Sequence, residues 1–165
     1  MGLLEPDGRG RRLFRRNDLT EAGPAIIVHS LAHAVAALSA AAEAGRRVTL
    51  ASAPEAGIHA GAGWFGALVA AAREAVPTAR CEALLDCGDD AGAAQAAIRA
   101  GIEGVLFTGR GDVAERLADI ARQRGVRLLP TRPAAVVDLA AEFFASPATL
   151  RRRCAEVLSS PAAFC

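Results

Sequence analysis

The chain has 165 residues, 52% of them hydrophobic, which suits one domain around one core. Its 19 basic and 18 acidic side chains leave a formal charge of +1, without the basic excess of a nucleic-acid binder, and no lysine is present for Schiff-base chemistry. The longest apolar run, WFGALVAAA at 64–72, is about half a bilayer span, the start lacks a signal-peptide core, and Cys81, Cys87, Cys154 and Cys165 have no metal or CxxC spacing, so we expect a cytoplasmic protein with free thiols and no membrane partner.

In chain order, residues 1–22 are polar and carry RGRRLFRR at 9–16. Composition predicts a solvated basic arm, in which Leu13 and Phe14 could dock on a partner. From residue 23 to the end we expect a single α/β domain. AIIVH (25–29) is the first predicted strand, and Ser30 can cap a helix with Leu31, Val35, Leu38 and Ala42 on one face, closed by Gly45. RVTLA (47–51) is the second strand, followed by a helix over about 62–75 with Phe65, Val69, Ala72 and Val76 in register, stopped by Pro77. CEALLD (81–86) is the third strand, and Asp89 or Asp90 caps a helix ending at Gly101. GVLF (104–107) is the fourth, before a helix with Asp112 and Glu115 as a capping box and Gly125 as its stop. VRLL (126–129) is the fifth.

None of these strand segments alternates with polar residues, so both faces are buried, and strand–helix repetition predicts parallel pairing through right-handed crossovers. Periodicity does not give the strand order and leaves two architectures: a segment of a β/α barrel, or an open, doubly wound, flavodoxin-like sheet. The βα repeats occupy 23–132. Residues 133–165 predict C-terminal helices, one over VVDLAAEFFA (136–145) with Val136, Leu139, Ala140, Phe143 and Phe144 near one side, and one over TLRRRCAEVL (149–158). Trp64 is expected to pack in the core, and so are Phe143 and Phe144, which could instead cover an open sheet edge.

Between Pro24 and Leu129 the chain resembles the N-terminal half of the class II fructose-bisphosphate aldolases. That family opens on P-A-F-N-V-N-N, where PAIIVHS (24–30) stands here; its second strand leads to a loop ending Y-A-G, and here RVTLASAPEAGIHAG occupies 47–61. Its third strand ends L-D-H-G and its next helix A-I-R-A-G, before S-V-M-I-D-G-S; here the segments are LLDCGDD (84–90) and AIRAGIEGVLFTG (97–109). The resemblance implies five consecutive barrel staves and gives Asp86 the position of the catalytic acid/base. It also sets departures. Cys87 replaces a zinc-ligating histidine, Ala53 replaces a serine although Ser52 is adjacent, and Thr108 replaces an aspartate. The remaining zinc ligands and the phosphate loops belong to later strands not expected in this chain. These departures argue against a metal-dependent sugar-phosphate aldolase. Five staves alone leave two open edges and an exposed inner face, which either the C-terminal helices or a second copy must cover, and of these we expect a homodimer.

Chemistry in parallel α/β proteins sits at the carboxyl ends of strands. His29, Asp86, Cys87 and Thr108 fall there, His59 in the loop after the second strand, and His33 one turn into the first helix. The candidate catalytic residues are Asp86, His29 and Cys87, with the thiol and carboxylate facing a shared pocket. Ser52, His59, Thr108 and Arg110 are candidate ligand-binding residues for a small, phosphorylated molecule, helped by the glycines of HAGAGWFG (59–66) and TGRGD (108–112). His29, His59 and Cys87 are chemically suited to a divalent metal, although their spacing matches no metal signature. The competing reading makes Cys87 a small buried hydrophobe and Asp89 or Asp90 helix caps. Two functions follow: a non-catalytic binding or assembly protein on an aldolase-like half-barrel, or a lyase- or aldolase-type enzyme using Asp86.

Overall fold

The computed structural model describes residues 22–159. The expected docking anchors Leu13 and Phe14, and Cys165, lie outside these residues. In order come β1 (Ala25–Val28), α1 (Leu31–Glu43), β2 (Arg47–Ser52), α2 (Ala56–His59), α3 (Gly61–Ala75), β3 (Arg80–Asp86), α4 (Ala91–Ala100), β4 (Gly104–Leu106), α5 (Gly111–Arg124), β5 (Arg127–Leu129), β6 (Ala135–Asp138), a short 3-10 helix (Leu139–Glu142) and α6 (Pro147–Ser159).

The punctuation works largely as the residues dictate. The Ser30 hydroxyl accepts the His33 N–H at 3.3 Å and the Asp90 carboxylate accepts the Ala93 N–H at 2.7 Å, each meeting a donor that a helix start leaves unpaired. Gly101 and Gly125 end α4 and α5 in the left-handed region, at φ 77° and 68°. The capping box expected at Asp112 and Glu115 does not form. α5 starts two residues earlier, its cap position is Arg110, and Asp112 instead holds the Arg110 guanidinium at 3.0–3.1 Å.

The sheet has six parallel strands in the order β5-β4-β3-β2-β1-β6. Its first five strands are consecutive neighbours, and the helices pack side by side on one face: α6 on α1, α1 on α3, α3 on α4, α4 on α5. The flavodoxin-like alternative, which needs a reversal of strand order and helices on both faces, is thereby set aside. The architecture is a partial, TIM-barrel-like α/β fold.

The sixth strand corrects the expectation of helix over 136–145. Ala135–Asp138, with the β-branched Val136 and Val137, adds instead to the outer edge of β1. Asp138 ends the strand and caps only a single 3-10 turn, accepting the Ala140 N–H at 2.9 Å.

β5 and β6 lie at opposite ends of the strand order, yet only residues 130–134 join them. A flat sheet would hold its outer strands about 24 Å apart, at about 4.8 Å per neighbour. Six Cα steps reach at most about 21 Å, and part of that returns the chain from the carboxyl end of β5 to the amino end of β6. The sheet must therefore curl, and the linker crosses its concave face as a strap.

The two faces carry different layers. The convex face and the helices share the main core, including Ile26, Leu50, Leu85, Val105, Phe65 and Leu38. The concave face is layered along the strands, as in a barrel interior. At the amino end Arg127 of β5 reaches over β4 to Glu82 of β3 in a bidentate pair at 2.8–3.0 Å, where Gly104 leaves room. Above it lie Ile27, Ala51, Leu84 and Leu106, each no more than 7% exposed, with Leu129 alongside. The inner face is thus covered within one chain; among the described residues, β5 and β6 each pair along one edge only.

Candidate functional site at the carboxyl rim

Side chains alternate across a strand, so Glu82, Leu84 and Asp86 share the concave face while Ala83, Leu85 and Cys87 face the helices. This separates the thiol from the carboxylate, which the sequence reading placed in one pocket. Cys87 is fully buried in the main core, with Gly57 of α2 packed so closely that an added Cβ would lie 2.6 Å from its Sγ. Burial, reinforced by the Asp86 and Asp90 carboxylates, pushes its pKa up to about 12. A thiol so placed stays protonated and is neither a nucleophile nor a ready metal ligand.

Asp86 is 6% exposed, and its acceptors are engaged. Oδ1 accepts the Gly88 N–H at 2.7 Å, while Oδ2 pairs with Arg132 in the strap. Arg132 also donates to the Ser52 carbonyl at 3.2 Å. The Ser52 hydroxyl, expected to face a ligand, accepts the Asp86 N–H at 2.9 Å and donates to the Ala53 carbonyl at 2.9 Å. The strap is thereby fastened to the ends of β2 and β3.

A second polar pair closes β1 onto β6. His29 Nε2 lies 2.6 Å from Asp138 Oδ1. Burial opposes ionisation of Asp138, but the His29 bond, the Ala140 N–H and the nearby charges of His29 and Arg132 outweigh it and hold the carboxyl below its ordinary range. Behind this pair His33 is fully buried, and its Nδ1 accepts the His29 N–H at 3.2 Å. Its Nε2 has no well-formed hydrogen bond, and its ring meets Phe143 edge-on at 5.6 Å. Burial and the adjacent His29 push the His33 pKa below its ordinary value, against the opposing pull of Glu142 and Asp138.

The other candidates sit further out. His59 is largely exposed in α2, 3.6 Å from Glu55. Thr108 is exposed after β4, its N–H donating to the Gly88 carbonyl at 2.8 Å. Arg110 is exposed and paired with Asp112. His29, His59 and Cys87 do not converge, and no group of three potential ligands forms a metal site among the described residues. The sequence reading missed Arg132 and Asp138.

The rim is also apolar in places. The exposed large hydrophobics among the described residues are Leu31, Ile58, Trp64, Phe143 and Phe144, the last at 97%. This corrects the expectation of Trp64, Phe143 and Phe144 in the core. All five follow the carboxyl ends of β1, β2 or β6, three adjacent strands.

No protein-family model matches the chain, and no curated protein matches its sequence. Among solved structures, it is similar to a protein from Coccidioides immitis assigned as a candidate fructose-1,6-biphosphate aldolase, with a TM-score of 0.54 at 19% identity. The match covers 65% of this chain and 40% of that one, so the chain spans less than half of that protein's length. The likeness establishes an aldolase-like fold. No helix among the described residues is long and apolar enough to cross a membrane.

Proposed function

We propose that this chain uses an aldolase-like partial barrel as a binding or assembly protein, without turning over a substrate. The observation that carries this reading is the state of Asp86. The carboxylate at the position of the aldolase acid/base is held by Arg132 and the Gly88 N–H, as a fastening for the strap. The test assays the full chain for aldol cleavage of sugar phosphates, with and without added zinc, and for ligand-induced melting shifts. Neither turnover nor a shift is expected. Turnover that disappears in Asp86→Asn while the fold persists would overturn the reading.

A second reading is favoured by one observation, the His29–Asp138 pair at 2.6 Å on the rim that also holds Asp86. A histidine oriented by a carboxylate suits proton transfer. Here Asp86 would serve as acid/base once Arg132 turned to an anionic substrate, His29 would orient it, and Ser52, His59, Thr108 and Arg110 would bind it. The same assay separates the two.

A homodimer is the proposed assembly, built on the edges of β5 and β6, and the mass in solution at micromolar concentration tests it. A reducing, cytoplasmic setting suits the free thiols of Cys81, Cys87 and Cys154, and localisation of a tagged full-length chain checks it.

A further inference from the structure

We infer that the basic arm of the chain, through residues 9–16, docks on the apolar sector of its own carboxyl rim. The inference rests on the reading of that rim as a binding surface. An apolar patch confined to one end of a small domain marks an interaction site more than chance exposure does. Here it is concentrated over β6, β1 and β2, where Phe143 and Phe144 stack edge-on at 5.1 Å and stand 48% and 97% exposed.

The charge around this patch selects the occupant. Glu55, Asp89, Asp90 and Asp138, the last beside His29, are exposed on the same rim, whereas Arg110 and Asp112 there pair with each other. Two such rims facing each other would repel, which disfavours a second copy meeting this one rim to rim. A basic segment with apolar anchors fits. RGRRLFRR at 9–16 carries Arg9, Arg11, Arg12, Arg15 and Arg16 around Leu13 and Phe14.

Reach allows the contact within one chain. The arm joins the domain at the amino end of β1, one of the three strands beneath the patch. Ten Cα steps from Phe14 to Pro24 extend to about 33–36 Å. The seven residues of β3, the longest strand, rise about 23 Å. Tethering supplies an effective concentration of about millimolar, above that of any second copy in dilute solution.

Trp64 reports on the patch. It is the single tryptophan of a chain without tyrosine, and it stands 44% exposed. The test measures acrylamide quenching of Trp64 in the full-length chain, in Leu13→Asp/Phe14→Asp, and in Phe144→Ser, with melting curves to verify that each is folded. Protection of Trp64 in the full chain is expected, unchanged by dilution, lost in the arm variant and under high salt, and weakened in Phe144→Ser. Equal quenching in the full chain and the arm variant overturns the inference. Protection that fades on dilution also overturns it, assigning the occupant to another copy. The readout does not depend on whether Asp86 is catalytic, so it can fail while the proposed function stands, and the reverse.

Discussion

Arg132 and Asp86, 46 residues apart in the chain, form the ion pair that fastens the strap to the carboxyl end of β3. Removing Arg132 leaves a buried carboxylate without its cation. Because the Arg132 side chain is 27% exposed, Arg132→Ala should lower stability by about 2–3 kcal/mol, below the roughly 3–5 kcal/mol of a fully buried pair. Adding Asp86→Asn should recover part of that loss. Urea unfolding of the single and double variants gives the coupling, and additive effects would remove the pair from its assigned role.

Cys87 should resist alkylation in the folded protein while Cys81, partly exposed, reacts. Its folded pKa of about 12 lies above the ordinary 9.0. The associated stability is therefore complete below pH 9 and declines as pH rises towards 12. Mass spectrometry of peptides labelled with iodoacetamide at pH 8 checks the first point. Equal labelling of Cys81 and Cys87 would show that the strand end is open.

The acid side has two windows. The folded pKa of His33 lies below the ordinary 6.5, so its contribution is present above that value and is lost as pH falls through the lower, folded value. The Asp138 carboxyl, held below the ordinary 3.8, keeps its contribution until much lower pH. Urea midpoints should therefore fall between pH 7 and pH 5, and His33→Leu should flatten that fall. A slope unchanged in His33→Leu would move the titration to another group.

Two glycines should respond oppositely to alanine. At Gly57 a Cβ would lie 2.6 Å from Cys87 Sγ and 2.9 Å from the Asp86 carbonyl oxygen. Backbone cannot yield as a flexible side chain does, so Gly57→Ala should cost about 1–3 kcal/mol. Gly63, inside α3, has open space around its missing Cβ, and Gly63→Ala should add about 0.5–1 kcal/mol. Thermal unfolding of both variants makes the comparison; equal shifts would contradict the packing of α2 against β3.

The first five strands were legible because their apolar runs are bounded by caps and glycines that act locally. β6 was not, because Val136, Leu139, Ala140 and Phe143 fit a helical spacing as well as they fit anything, and only pairing with β1 makes Ala135–Asp138 a strand. At the rim, the position of Asp86 could be read, but its partner could not, since no local rule links it to Arg132. The opposite facing of Asp86 and Cys87 was readable in principle: once the strand is granted, neighbours must diverge. The exposure of Phe144 had no local signal, because an aromatic in a loop reads like a core plug until its surroundings are known.

The pairing of β6 with β1 makes the earliest strand wait for one of the last. During synthesis, the outer edge of Ala25–Val28 stays open until residues beyond Asp138 have left the ribosome, some 110 residues later by the His29–Asp138 separation of 109. A nascent chain therefore carries an unguarded β edge for most of its emergence, the condition under which chaperone engagement and misassociation compete with folding.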